Sequence, residues 1–266
     1  MLWDTHMHCY FSGDSETAPT AMIESAIKKG LDGICFTDHL DLDYREEPGY
    51  FDLDFDNYYK EIMELKAKYA NQISILWGVE LGLQPHVAKE NKKVTQTYPF
   101  DFIIGSSHLV DHIDIFYPTF YEGRTERTAY RRYFESILEN LATDVDFDVY
   151  GHLDYVVRYG PNKNRSFSYE KYADLIDEIL RQLVEKGKGI EMNMAGFKYR
   201  LGHPNPTEDI LKRYRELGGE IITIGSDGHK PDQIAWDYHK APDILKEAGF
   251  SYYTVFKERK PNFIKL

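Results

Sequence analysis

Short apolar runs alternate along this chain with longer segments in which apolar residues recur every three or four positions. The short runs are typical of buried parallel strands, and the longer segments of helices with one apolar face. Seven strands are predicted, over residues 2–8, 33–37, 73–79, 100–105, 147–151, 189–193 and 220–224. Helices are predicted between and after them, over residues 17–29, 55–70, part of 85–97, 125–142, 168–186, 207–217 and about 238–248.

This strict alternation of strand and helix predicts an α/β barrel of parallel strands. The chain has 266 residues, enough to bury one large core, and it contains no internal repeat or Pro/Gly-rich linker. We therefore expect one domain over residues 1–266. Two acidic and aromatic segments, 40–54 and 106–122, are predicted to be long loops, which in compact domains are often lids or binding loops.

Potential metal ligands fall at the ends of the predicted strands. His6 and His8 lie two residues apart on the first strand, so their side chains point to the same face. Six of the chain's ten histidines follow this pattern, at the barrel edge where active sites of such folds are built. The full set at strand ends is His6, His8, His39, Glu80, His108, His152, Asp227 and His229.

Nitrogen and carboxylate donors without thiolates suit zinc, manganese or iron. There are too many donors for one ion, so we expect two or three, with Glu80 able to bridge two of them. Metal ions about 3.5–4 Å apart can hold a hydroxide and stabilise both the attacking and the leaving oxygen of a phosphoryl displacement. The alternatives are a pair of structural histidines at His6 and His8, or a module whose metals are structural and fully coordinated.

The net charge and the cysteine content of the chain limit the kinds of partner that we expect it to bind. The formal net charge is −12, which disfavours a nucleic-acid surface because phosphate backbones require Lys/Arg patches. A small phosphorylated substrate stays possible, because bound metal ions supply local positive charge. The chain has only two cysteines, no basic leader and no long apolar run, so we expect a cytoplasmic protein with no membrane partner. Its oligomeric state cannot be read from the sequence.

A set of motifs in family order resembles the polymerase and histidinol phosphatase (PHP) superfamily, and within it the histidinol-phosphatase branch. They extend from residue 4 to residue 229 and together are highly specific. These motifs are Asp4-Thr5-His6-Met7-His8, Asp14, Thr37-Asp38-His39, Gly78-Val79-Glu80, Gly105-Ser106-Ser107-His108, Gly151-His152-Leu153-Asp154 and Gly225-Ser226-Asp227-Gly228-His229.

The resemblance implies a distorted (β/α)7 TIM-like barrel with a trinuclear metal site. By carry-over, the first metal would be held by His6, His8, Glu80 and Asp227. The second would be held by Glu80, His108 and His152, with Glu80 bridging, and the third by Asp14, His39 and His229. Some relatives have a histidine where this chain has Asp14, an exchange that keeps a donor and alters the third site.

The resemblance also implies a metal-dependent phosphoric monoester hydrolase, a histidinol-phosphatase that converts L-histidinol phosphate to L-histidinol and phosphate in histidine biosynthesis. A metal-bridged hydroxide would attack phosphorus, and Asp227 or His229 would assist the leaving group. The alternative is a phosphoesterase of the same superfamily that acts on another small phosphate ester or a nucleotide. A nuclease or editing role is less favoured, because the chain is acidic and has no appended domain.

Substrate contacts are predicted on weaker grounds. Arg158 and Arg200 follow strand ends, and the resemblance favours them as phosphate clamps over solvated surface residues. Ser107 is a further candidate donor to phosphate. The amine and the imidazole of histidinol phosphate would need acidic and aromatic groups as partners. The two long loops offer Asp41, Asp43, Tyr44, Glu46, Glu47, Tyr117 and Tyr121. Asp4, Asp38 and Asp154 are expected to orient imidazoles, and His86, His112, His203 and His239 to be surface or structural residues.

Overall fold

A computed structural model describes residues 1–266. Its strands are β1 (Trp3–Met7), β2 (Gly33–Phe36), β3 (His39–Leu40), β4 (Ser74–Gly82), β5 (Phe102–Ser106), β6 (Leu109–Val110), β7 (Ile113–Asp114), β8 (Val149–Tyr150), β9 (Gly189–Asn193), β10 (Ile222–Gly225), β11 (Tyr252–Lys257) and β12 (Lys260–Lys265). Seven of them pair in parallel in the order β1-β2-β4-β5-β8-β9-β10. The predicted (β/α)7 barrel is confirmed.

The helices are α1 (Pro19–Lys28), α2 (Phe55–Lys68), α3 (Ala88–Thr97), α4 (Glu126–Leu141), α5 (Ala173–Glu185), α6 (Ala195–Lys198), α7 (Glu208–Glu216) and α8 (Ala241–Glu247). Capping side chains start two of them: Asp54 accepts from the amide of Asn57, and Thr125 from that of Thr128, both at 3.2 Å. A 3₁₀ turn over Tyr169–Tyr172 precedes α5, and Ser168 makes no capping bond. Ser168, the residue that the sequence suggests as the N-cap of the helix predicted over 168–186, therefore does not cap it.

The barrel is nearly closed at the seam between its first and last strands. β1 and β10 form no regular ladder, but the Asp227 amide donates to the His6 carbonyl, and the His8 amide to that of Gly228, both at 2.9 Å. The buried Asp4 carboxylate reinforces this seam, because it accepts from the amides of Ser226 and Ala235 at 3.0 and 2.8 Å. The seam therefore joins the two chain segments that carry His6, His8 and Asp227.

Strand β4 is longer than predicted. It extends to Gly82, so Glu80 lies within the strand and not at its end. The short β3 pairs alongside it, with His39 opposite Glu80. A Cβ at position 82 would lie 1.9 Å from Asp41 Oδ1, so glycine allows the chain after β3 to lie directly on β4.

The two long loops carry structure of their own. The first buries Asp41, Tyr44 and Leu53, and the second contains the β6–β7 hairpin and a 3₁₀ turn over Pro118–Tyr121. The sequence reading missed α6 and the antiparallel β11–β12 hairpin. One cluster of 67 buried apolar residues fills the space between strands and helices. None of the helices combines the length and the apolar character that a membrane crossing requires.

Candidate active site

The first group of predicted ligands meets at the carboxyl end of β1. His6 Nε2 lies 3.0 Å from His8 Nε2 and 3.1 Å from Glu80 Oε2. Asp227 Oδ1 lies 3.5 Å from His8 Nε2. Alternation along β1 brings both imidazoles to one face, and the carboxylates come from β4 and from the turn after β10.

A second group meets at the other oxygen of Glu80. Oε1 lies 2.9 Å from His152 Nε2 and 3.3 Å from His108 Nε2. The two imidazole nitrogens are 3.5 Å apart. Oε2 also lies 3.1 Å from His39 Nδ1, so the two oxygens of Glu80 face different sets of histidines, the arrangement that a bridging carboxylate requires.

The third group is more open to solvent. Asp14 Oδ2 lies 3.0 Å from His229 Nε2 and 3.7 Å from His39 Nε2. The ring of His8 stacks between those of His39 and His229, with centroid distances of 4.1 and 4.2 Å. The structure thus brings all nine predicted ligand side chains into one continuous cluster.

Close packing of histidines and carboxylates shifts their pKa values. Burial disfavours the charged form of Glu80, but His6, His108 and His39 outweigh it and hold the pKa of Glu80 well below its usual range. The pKa of Asp227 is likewise lowered against the effect of burial, by His8, His6 and other nearby cations. Both carboxylates are therefore ionised at neutral pH and present anionic oxygens to the histidines.

The cluster is suited to hold cations. Groups of three ligand atoms lie within 4.8 Å of one another at His6/His8/Glu80, His39/Glu80/His108 and His8/His39/His229. The buried nitrogens His39 Nδ1 and His229 Nε2 lie 3.1 and 3.0 Å from carboxylate oxygens of Glu80 and Asp14 without the geometry of a hydrogen bond, as expected of nitrogens that share a cation with those carboxylates. The residues present therefore fit divalent metal ions.

Three imidazoles are oriented by groups on the side away from the cluster centre. Glu191 Oε1 lies 2.6 Å from His6 Nδ1, and Asp41 Oδ1 lies 2.8 Å from His108 Nδ1. Ser12 Oγ lies 3.1 Å from His8 Nδ1. Such partners fix which nitrogen faces the metal and raise ligand basicity. Sequence reasoning missed Glu191 and Ser12 entirely and placed Asp41 only among substrate contacts.

The predicted orienting role of Asp4, Asp38 and Asp154 is wrong. Asp38 accepts from the amide of Cys9 at 2.7 Å, and Asp154 from the amide of Thr207 at 3.1 Å. Like Asp4, both accept from backbone amides, and none of the three bonds an imidazole nitrogen. They hold the loops that carry the ligands.

Arg158 is buried beside the cluster, with 3% of its surface exposed. Its guanidinium donates to Asp227 Oδ2 at 3.0 Å, Asn193 Oδ1 at 2.9 Å and Asn205 Oδ1 at 2.8 Å. It also lies over the ring of Tyr155, 4.8 Å from the centroid. It is thus a fixed positive charge at the site and not a solvated residue.

Neither of the other two predicted phosphate contacts makes a side-chain hydrogen bond to the cluster. Arg200 is exposed and has left-handed backbone geometry, with φ 61°. The Ser107 hydroxyl is buried between β5 and α4, where it is bonded to Tyr150 and Asn140. A cation that sequence reasoning missed, Lys198 on α6, donates to the Asp227 carbonyl at 2.8 Å.

A cavity of about 330 Å³ opens directly from the cluster. Tyrosine and phenylalanine side chains form most of its wall, with a few acidic groups among them. Of the loop residues proposed to receive substrate, Asp41, Tyr44 and Tyr117 line it, whereas Asp43, Glu46, Glu47 and Tyr121 do not. The lining residues are Asp14, His39, Asp41, Tyr44, Tyr50, Phe51, His108, Asp114, Phe116, Tyr117, Tyr155, Tyr159 and Tyr199.

The barrel fold and the cluster of metal ligands agree with the family to which the sequence is related. The sequence profile of the PHP domain family matches residues 4–195, and the chain belongs to this family. Among relatives, a histidinol-phosphatase from Lactococcus lactis subsp. lactis (strain IL1403) is 35% identical over 263 residues, covering 97% of this chain and 95% of the relative. A histidinol-phosphatase from Bacillus subtilis (strain 168) is 24% identical, covering 88% of this chain and 96% of the relative.

A solved structure agrees in shape. The crystal structure of histidinol phosphate phosphatase from Lactococcus lactis, complexed with zinc, L-histidinol and phosphate, matches this chain with a TM-score of 0.91. The two are 33% identical, and the match covers 98% of each chain. The resemblance inferred from the motifs is confirmed at the level of the family and the fold.

Proposed function

We propose that this protein hydrolyses L-histidinol phosphate to L-histidinol and phosphate, the reaction named for its Lactococcus lactis relative. The observation that carries the proposal is Glu80, whose two oxygens face different sets of histidines beside an aromatic cavity. A small phosphate monoester fits this arrangement, since its phosphate would lie at the cluster and its organic part in the cavity.

We assign the metal ions to three neighbouring sets of ligands. His6, His8, Glu80 and Asp227 would hold the first, Glu80, His108 and His152 the second, and Asp14, His39 and His229 the third. Zinc, manganese or iron suits these donors, and zinc is present in the related crystal structure. When bound, the ions supply Lewis acidity and an activated water for attack on phosphorus.

The protein's own charged residues would complete the phosphate site. Arg158 and Lys198 lie on the Asp227 side of the cluster and add positive charge where charge builds up on the phosphoryl oxygens. Arg200 stays a weaker candidate for the same role, because it is exposed. Asp227 and His229 lie at the edge of the cluster with a side-chain separation of 3.7 Å, and either would serve to assist the leaving oxygen.

The cavity would receive the rest of the substrate. Histidinol carries an imidazole and an amine, and both can become cationic. Tyr44, Tyr117 and Tyr155 present aromatic faces, and Asp114 presents a carboxylate, in the cavity wall. Aromatic faces attract a cation or stack on an imidazole. The cavity wall therefore matches histidinol phosphate better than it matches a phosphate ester whose organic part is uncharged and has no ring.

The alternative is another small phosphate ester or a nucleotide as substrate. The test is phosphate release by metal-reconstituted protein from L-histidinol phosphate, nucleoside monophosphates and p-nitrophenyl phosphate. We expect kcat/KM for L-histidinol phosphate to exceed the others at least a hundredfold, or about 2.7 kcal/mol. Similar low rates on all three substrates would support a metal-dependent phosphoesterase but reject L-histidinol phosphate as its specific substrate. No turnover by the metal-loaded protein would reject phosphate ester hydrolysis itself.

Two expectations from the sequence belong to the same proposal. Residues 1–266 would form one catalytic domain, in line with the single apolar core. The protein would act in the cytoplasm, where amino-acid biosynthesis takes place and where Cys9 and Cys35 would persist as the free thiols seen here.

A further inference from the structure

A second group of potential metal ligands lies outside the cavity, on the surface next to it. His86 Nε2 and His112 Nδ1 both approach Asp43 Oδ2, at 2.9 and 3.0 Å. The two imidazole rings are 4.4 Å apart and inclined by 55°. None of these side chains is among the residues that line the substrate cavity, and the proposed reaction uses none of them.

The three ligand atoms converge on one point. All lie within 4.8 Å of one another, and the contacts of the two nitrogens to Asp43 are shorter than about 3.4 Å, the edge of a tetrahedron with metal–ligand bonds of about 2.1 Å. Small side-chain rotations would therefore place a cation at the centre. Two histidines and one carboxylate on one face of the ion form a donor set that transition metals use widely.

We propose that Asp43, His86 and His112 form a separate divalent-cation site, with zinc or a similar transition-metal ion as its ligand. Two imidazoles and one carboxylate leave coordination positions open to water, as the exposed location requires. The site would be weaker than the buried cluster, because each of its side chains is one third or more exposed and competes with solvent.

The charge of Asp43 supports cation binding. The Arg45 guanidinium donates to both carboxylate oxygens, at 3.0 to 3.3 Å. An exposed aspartate is ionised at neutral pH, so the carboxylate is available as an anionic ligand. Arg45 itself is 55% exposed, so a bound cation would compete with a solvated guanidinium for the carboxylate.

The backbone also holds the three groups in place. Asp43 and His112 have φ values of 56° and 65°, a region that non-glycine residues seldom occupy. His86 lies in the 3₁₀ turn Pro85–Val87, just after β4. For His112 this geometry belongs to the two-residue turn that joins β6 to β7, whose other residue, Asp111, has a φ of 55°, so the hairpin fixes the position of that imidazole.

A cation here would join three separate segments of the chain. Asp43 precedes Tyr44 in the first loop, and His112 lies at the turn of the β6–β7 hairpin in the second. Tyr44 and Asp114, which line the cavity, are themselves hydrogen-bonded across these loops at 3.1 Å. The ion would fix the loops that form one wall of the cavity.

The experiment is a Zn²⁺ titration of holoenzyme whose active-site metals are already loaded, with calorimetry and metal analysis after equilibrium dialysis. We expect one further equivalent with a micromolar dissociation constant. In His86→Ala or His112→Ala the affinity for this equivalent should fall at least tenfold, with the other bound metals retained. His239→Ala removes an exposed histidine outside the cluster and should bind like the wild type.

The proposal is overturned if the wild type binds no further equivalent, or if both single variants bind it with unchanged affinity. Failure of the proposed function gives a different result, since it abolishes selective phosphate release without affecting this equivalent. Circular dichroism of the variants checks that each is folded. Loss of the additional Zn²⁺ equivalent in His86→Ala and His112→Ala, but not in His239→Ala, would establish the surface site independently of catalysis.

Discussion

Glu191 is a fully buried carboxylate that contacts the site through other residues. One oxygen lies 2.6 Å from His6 Nδ1, and the other accepts from the amide of His152 at 3.0 Å. It therefore positions ligands that belong to two different metal groups. Removing it would leave an imidazole free to rotate and a buried amide without its partner.

We expect Glu191→Gln to lower metal affinity by about 10- to 100-fold, the usual effect of losing a carboxylate behind a ligand histidine. Metal retained after dialysis against a graded chelator series measures this directly. Glu185→Gln, an exposed exchange at the end of α5, is the matched control. Equal retention by the wild type and both variants would show that Glu191 does not position His6.

Arg158 offers a second test at the residue scale. Its guanidinium is buried, and although burial lowers the pKa of Arg158, the charge of Asp227 outweighs that effect and raises it. If it stabilises the transferring phosphoryl group, Arg158→Met should lower kcat/KM at least a hundredfold, or about 2.7 kcal/mol. Steady-state kinetics of the folded variant decides, and unchanged kcat and KM would reject this role.

The metal ligands could be predicted because a strand imposes a period of two and a parallel barrel gathers strand ends. Their orienting partners could not. Asp41 and His108 are 67 residues apart, and Glu191 and His6 are 185 apart, so no local pattern connects them. Neighbouring aspartates such as Asp38 offered a false local signal, since their carboxylates were needed by backbone amides.

Among the elements, the two long loops decide what enters the site. The sequence located both, because acidic and aromatic residues interrupt the apolar pattern there. It did not predict their internal hairpin, since Leu109–Val110 and Ile113–Asp114 are two-residue strands, too short for a periodic signal. The C-terminal hairpin was missed because 260–265 has only two apolar positions among polar ones.

We expect Tyr117→Ala to raise KM for L-histidinol phosphate about tenfold, because an aromatic face in the cavity wall is lost. KM for β-glycerophosphate, which has no ring to stack, should change little. Tyr59→Ala removes an exposed tyrosine on α2, away from the cavity, and serves as the control. An equal rise in KM for both substrates would mean that Tyr117 does not recognise the imidazole.

For the whole molecule, stability depends on the seam that closes the barrel. Asp4 is buried there and accepts from two amides and from the Tyr238 hydroxyl, the last at 2.8 Å. These contacts link β1 to the segment after β10 and to the turn before α8. A regular ladder of backbone pairs is absent at this seam, so each of these hydrogen bonds contributes a larger share of the stability of the closed barrel.

We expect Asp4→Ala to lower the free energy of unfolding by about 3 kcal/mol, because buried donors are left without an acceptor. Asp4→Asn keeps one acceptor oxygen, so its free energy of unfolding should fall by less than that of Asp4→Ala. Urea unfolding followed by circular dichroism measures both, and Asp52→Ala, an exposed exchange in the first long loop, is the control. A loss no larger than that of the control would show that the seam does not depend on Asp4.

The seam also sets an order of events during synthesis. His6 and His8 leave the ribosome first, but the Ser226 amide that binds Asp4 follows 222 residues later, together with Asp227 and His229. The emerging chain therefore carries an exposed half-built site throughout translation. Because such distant contacts form late in folding, the finished cluster appears only after the segment that carries Asp227 and His229 has been made.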